Sequence, residues 1–231
     1  MKKSLLFLSL ILSFSAAAFA EGALDKVLAA TDSGLSAAAR EAAEMQQPFT
    51  VPPPVSIADP RYSDTPAADY LPLNKRAVFE YEYTSSEFNG SKVIRVEYMS
   101  YSEAERTAQV NMVIFNRTKP RVVNYVMTAD AAGIRSSDSP LYGPRLELPF
   151  PLEYNAVWNE GPDRNRVAAL NAKITVPAGT YNGCLKVLTR LSDGDAGAAV
   201  RYYAPGVGLV YEQINSEEKQ ETIVLTSYQL K

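Results

Sequence analysis

Residues 173–213 read KITVPAGTYNGCLKVLTRLSDGDAGAAVRYYAPGVGLVYEQ, and this stretch decides the fold. Turn formers fall at Pro177-Ala178-Gly179, Asp193-Gly194 and Pro205-Gly206. Between them run short segments rich in β-branched and aromatic residues, the signature of strands bounded by turns. The pattern predicts two β-hairpins joined by glycine turns. Gly206 and Gly208 flank Val207 and let the chain reverse or bulge before Leu209 and Val210 re-enter a sheet.

Working outward, the same period of two recurs on both sides. Toward the C-terminus, strands are expected at Leu170 to Val176, Cys184 to Leu191, Ala198 to Tyr203, Leu209 to Ile214 and Glu221 to Leu230. Toward the N-terminus, Phe79, Tyr81 and Tyr83 alternate with Glu80, Glu82 and Thr84. Ile94, Val96 and Tyr98 alternate with Arg95 and Glu97. Ala108 to Ile114 and Val123 to Met127 continue the alternation. One apolar and one polar face per strand argues for antiparallel pairing with one side wet. The middle, Ala129 to Asn171, is broken by Gly and Pro, with short strands expected near Leu146 to Leu148 and Ala156 to Trp158. Pro72-Leu73 through Phe79 echoes Pro151-Leu152 through Trp158, which fits a recurring way of opening a strand with an aromatic plugging the core. The fold class predicted is mainly β, a curved antiparallel sheet, open or half-barrel, preceded by an N-terminal helix and a Pro-rich linker.

The N-terminal segments differ in composition. In residues 1–20, Lys2 and Lys3 precede an apolar run from Leu5 to Phe14, and Ala18-Phe19-Ala20 has the small-x-small form of a signal-peptidase site. The run is too short for a membrane span of about 20 residues. No cysteine follows the expected cut, so a lipidated N-terminus is not offered. Residues 21–46 carry Leu24, Val27, Leu28, Leu35, Ala38, Ala42 and Met45 at helical spacing, predicting an amphipathic Ala-rich helix. Residues 47–69 hold Pro48, Pro52, Pro53, Pro54, Pro60 and Pro66, read as a semi-stiff linker. The β-domain is expected over 70–231. Export to the periplasm or beyond is the expected localisation.

Composition excludes several chemistries. Removing Lys2 and Lys3 with the signal leaves 21 basic residues against 26 acidic ones, a balance of −5. Such a chain lacks the cationic surplus that nucleic-acid binding requires. With no histidine, Ser-His-Asp and Cys-His catalysis and His-ligated metals are unavailable. Cys184 is the only cysteine, so no internal disulfide forms, and it reads as a small buried hydrophobe at a strand start. Asp193 to Gly197 suggests a calcium loop but lacks the glycine and glutamate at the sixth and twelfth positions. Glu80, Glu82 and Glu97 are read as a solvated strand face rather than a hydrolytic pair. No cofactor and no metal are expected.

Val176-Pro177-Ala178-Gly179-Thr180-Tyr181, Cys184-Leu185-Lys186-Val187, Tyr202-Tyr203-Ala204-Pro205-Gly206-Val207-Gly208-Leu209-Val210 and Leu225-Thr226-Ser227-Tyr228 resemble a family of exported bacterial domains of unknown function with a VPAGTF…CLKV…YYAPGVGLVK…LTSY pattern. The resemblance spans about Tyr70 to Leu230. It implies a half-barrel akin to periplasmic lipoprotein-carrier and lipid-binding domains. Arg76 and Asn155 stand where that family has Gly, and Tyr211 where Lys is common.

Of fourteen tyrosines, Tyr81, Tyr98, Tyr125 and Tyr202 are the candidate ligand-binding residues, on the expectation that a curved sheet turns them into a concave groove. The alternative is that they fill half-buried strand positions. The function expected is a non-catalytic envelope protein binding a lipid or other apolar or amphiphilic small molecule in that concavity. The alternative is a protein-interaction component of an envelope or secretion assembly.

Overall fold

The structure, a computed structural model, describes residues 59, 61–116, 119–192 and 196–231. The expected signal segment, the Ala-rich helix and most of the linker lie outside the described residues, as do Asp193 and Asp195.

The described residues form twelve strands: β1 (Ala77–Ser85), β2 (Lys92–Ser102), β3 (Thr107–Phe115), β4 (Arg121–Ala129), β5 (Gly133–Ser136), β6 (Arg145–Pro149), β7 (Val157–Glu160), β8 (Asp163–Val176), β9 (Gly179–Leu191), β10 (Gly197–Ala204), β11 (Gly208–Ser216) and β12 (Gln220–Leu230). All pairs are antiparallel, and the order is β6-β5-β4-β3-β2-β1-β12-β11-β10-β9-β8-β7. Every strand but β6 and β7 thus pairs with each of its neighbours in sequence, and the first strand pairs with the last, Ala77 opposite Leu230. The result is a nearly closed, barrel-shaped meander with one seam, between β6 and β7 in mid-chain.

Local sequence explains the seam. β7 is four residues long. β6 ends at Pro149, followed by a cis Phe150–Pro151 bond, and prolines have no N–H to give a ladder. Across the gap a side chain substitutes for the backbone, as the Leu146 N–H donates to a Glu160 carboxylate oxygen.

The alternation seen in the sequence is the inside-outside alternation of the barrel. Phe79, Tyr81, Ile94, Val96, Val110, Met112, Val187, Ile223 and Leu225 are buried inside. Cys184 is buried among them, and burial pushes its thiol up to about 11. At one end a 3₁₀ turn, Ala67–Tyr70, carries Tyr70 into the core, where its hydroxyl donates to Leu170 O at 2.9 Å. Gly206 N–H donates to Asp69 O at 2.7 Å, so the last residues before the barrel dock onto the β10–β11 turn.

Three expectations need correction. The sheet curls further than a half-barrel. β5 was not expected, and it depends on Gly133, whose φ of 147° and approach to Leu148 O would put an added Cβ 2.0 Å from that oxygen. β8 begins at Asp163 rather than Leu170. Asn155, standing where the resembled family has Gly, takes a left-handed backbone, φ 65°.

Candidate functional site

Two-residue alternation places the four candidate tyrosines on two faces. Tyr81, Tyr98 and Tyr125 point inward and meet around one small void with Arg145, Glu147 and Tyr203. Tyr202, adjacent to inward-facing Tyr203, points outward; its ring meets that of Tyr211 edge-on at 6.0 Å, with Lys186 Nζ 5.3 Å from its centroid. The inward rings are held by protein partners. Tyr81 OH donates to Leu209 O at 2.9 Å, and Tyr98 packs edge-on against Phe79 at 5.4 Å. Burial raises the phenols of Tyr81, Tyr98 and Tyr125 well above the ordinary value, so they remain neutral donors. The void they border has about 30 Å³ open to a water-sized sphere. Ligand pockets for drug-sized molecules run to roughly 300 Å³ and more.

The sequence reading missed the polar cluster beside that void. Arg145 on β6 donates from Nε to Glu147 Oε1 at 2.8 Å, and its two terminal nitrogens grip both oxygens of Glu212 on β11. Glu147 Oε2 accepts from Tyr203 OH at 2.6 Å and lies 3.7 Å from Arg201 Nη1. Arg201 Nη2 donates to Asn165 Oδ1 at 2.8 Å. These four charged residues are all buried. Desolvation works against the charge on Glu147, but Arg145 and Arg201 outweigh it and hold the carboxyl below its ordinary value. Beyond them Tyr142 donates to Asp163, which also accepts Ser192 N–H at 3.0 Å. The adjoining void has about 20 Å³ open to a water-sized sphere, room for about one water molecule. Each buried carboxylate among the described residues has a partner, Glu221 taking Lys219 at 2.9 Å. These are arrangements that neutralise charge and tie β6 to the opposite wall.

The polar strand face read as solvated is so, and partly paired. Glu97 meets Lys231 at 2.8 Å and Arg95 at 3.7 Å. The outer wall of β8–β11 is different. Tyr202, Tyr211, Leu188 and Val200 floor an open depression of about 460 Å³. An adjoining one of about 450 Å³ is lined by Arg164, Arg166 and Arg190. Among the described residues no group of three or more potential metal-binding side chains occurs, and no helix is long and apolar enough to cross a membrane.

No protein-family model matches the chain, and no curated protein matches it. The VPAGTF-like pattern therefore gains no family from these comparisons. Solved structures similar to it include a candidate lipoprotein from Parabacteroides distasonis, 15% identical with a TM-score of 0.45, covering 73% of this chain and 100% of that one. A candidate exported protein with a YmcC-like fold from Bacteroides fragilis is 12% identical with a TM-score of 0.47, covering 66% of this chain and 95% of that one. A third is the complex of MucA and MucB from Pseudomonas aeruginosa, 9% identical with a TM-score of 0.37, covering 71% of this chain and 56% of that one. Likeness this loose transfers neither ligand nor role.

Proposed function

We propose that this chain is an exported, non-catalytic binding module of the bacterial envelope that meets its ligand or partner on the outer wall of the barrel. The observation that carries this is the contrast in space: voids of about 20 and 30 Å³ inside, against open depressions of about 460 and 450 Å³ on the wall of β8–β11, with a smaller one of about 310 Å³ beside Tyr98 and Tyr101. Export is supported by Lys2-Lys3, the apolar run and Ala18-Phe19-Ala20. A lipid lying against Tyr81, Tyr98 and Tyr125 is the other reading. It requires the β6–β7 seam to part, because the interior is occupied by those rings and by the Arg145–Glu212 pair.

Photo-crosslinking in the living envelope tests the choice. A benzophenone side chain is placed at Ala198 or Gln213 on the β10–β11 wall, at Met99 or Gln109 on the β2–β3 wall, and at Tyr98 inside. Adducts are expected from Ala198 and Gln213. Adducts from Tyr98 alone overturn the outer-wall reading in favour of the interior one, and adducts equal from both walls, or from none, overturn it outright.

A further inference from the structure

The register of β8 against β9 sets Arg164 directly opposite Arg190. Both are exposed, and Arg166, two residues along the same face, is exposed as well. Like charges facing each other across a strand pair destabilise a sheet. No carboxylate among the described residues relieves this one. Strands β8 to β11 contain two acidic residues, Asp163 and Glu212, and both are buried with partners inside the barrel. Arg166 Nη1 donates to the neutral amide oxygen of Asn155 at 2.9 Å. This cationic cluster sits on a chain whose overall balance is negative.

The surface next to it is richer in apolar groups, although Lys186 stands over the Tyr202 ring and Gln213 and Asn215 line the same depression. Leu188 lies opposite Arg166 on one side and Val200 on the other, and Tyr202 lies opposite Tyr211. The three arginines thus gather on β8 and the end of β9, while Leu188, Val200, Tyr202 and Tyr211 run from β9 to β11 beside them. Planar guanidinium forks match phosphate and carboxylate oxygens. Tyrosine rings tolerate an apolar neighbour at one end and water at the other.

We infer that the outer face of β8–β11 is a binding site for an anionic amphiphile, with Arg164, Arg166 and Arg190 holding a phosphate or carboxylate head and Leu188, Val200, Tyr202 and Tyr211 carrying the apolar chain. An acidic peptide fits less well. β9 and β10 have a strand on each side and β8 is paired with β7 over Asp163–Arg166, so the backbone beside the arginines is not free for strand addition, and a peptide would spread its charge rather than gather it at one end. The inference rests on the outer-wall reading and deepens it.

The test uses the chain as purified from the envelope, titrated by calorimetry and amide chemical shifts. The probes are short-chain phosphatidylglycerol below its micelle concentration, phosphatidylcholine of the same chain length, and inorganic phosphate. Phosphatidylglycerol is expected to bind roughly tenfold or more tighter than either of the others, with shifts on β8–β11. The pair Arg164→Gln and Arg190→Gln is expected to remove that preference at an unchanged melting temperature, and Val200→Gln to reduce phosphatidylglycerol to the level of phosphate. Phosphate binding as tightly as phosphatidylglycerol would make this a free-anion site and overturn the inference. Equal binding of phosphatidylcholine, no binding of any probe, or shifts centred on Tyr98 would overturn it too. Crosslinks from Ala198 and Gln213 that persist without phosphatidylglycerol binding would sink the amphiphile and spare the outer-wall reading, whereas loss of those crosslinks sinks both.

Discussion

Arginines on the two sides of one wall meet opposite surroundings. Inside, Arg201 of β10 faces Glu147 and Asn165, and Arg145 reaches across from β6 to Glu147 and Glu212. Outside, Arg164 and Arg190 face each other. The difference is one of solvent. In a low-dielectric interior an unpaired charge is costly enough that each charged group in the network faces an opposite one, even though Arg201 Nη1 reaches Glu147 only at 3.7 Å and makes no hydrogen bond. On the surface, water screens the repulsion to a few tenths of a kcal/mol, and an open arrangement survives and stays available to a ligand. Interior charge here is architecture, and exterior charge is offered outward.

The largest effect should come from opening the interior network. Glu212→Ala strips Arg145 of its two-toothed acceptor and leaves it buried, and is expected to destabilise the fold by about 3–5 kcal/mol in urea unfolding. The double change Arg145→Leu with Glu212→Leu removes both charges and should recover most of that loss. Failure to recover would mean that the pair sets the position of β6 and not only its own neutrality.

Acid gives the next test. The folded Glu147 carboxyl titrates below its ordinary value, so the stability it supplies is complete above the usual glutamate range, near pH 4.3, and is lost as pH falls through that range toward the lower folded value. Glu147→Gln should therefore be less stable at pH 7 yet lose less on acidification. Unfolding midpoints compared at pH 7, 5, 4 and 3 check this, and parallel curves for the two proteins would break the assignment.

Outside, the sign reverses. Arg190→Glu turns the facing Arg164 into a cross-strand pair, and a gain of about 0.2–1 kcal/mol is expected in the same assay. A loss of the Glu212→Ala size would show that the outer arginines are structural after all. The smallest expected change is in Cys184, buried with its thiol raised to about 11. Labelling by a disulfide reagent should accelerate in Glu212→Ala and stay at the native rate in Arg190→Glu.

Much of the barrel is legible in the alternation itself. Phe79-Glu80-Tyr81-Glu82 predicts which side chains go inside without any knowledge of a partner strand, and Tyr81, Tyr98 and Tyr125 share the inward side for that reason. The start of β8 was hidden because both its faces are polar there: Asp163 and Asn165 point inward to the buried network while Arg164 and Arg166 point outward. The network left a trace that the reading passed over. Glu212 sits between Val210 and Ile214 on the inward side, and Arg201 between Ala199 and Tyr203. A charge at core spacing announces a buried partner, although it does not say which.

By itself the sequence determined a mainly β chain of antiparallel strands, the inward or outward sense of most side chains, and the absence of histidine chemistry. Those follow from local alternation and composition. Tertiary structure alone decided that β1 would close on β12, that the barrel would be filled rather than hollow, and that Arg164 would face Arg190. Each depends on pairing between strands, some more than a hundred residues apart as in Ala77 opposite Leu230, and register is a property of the assembled sheet rather than of any segment within it.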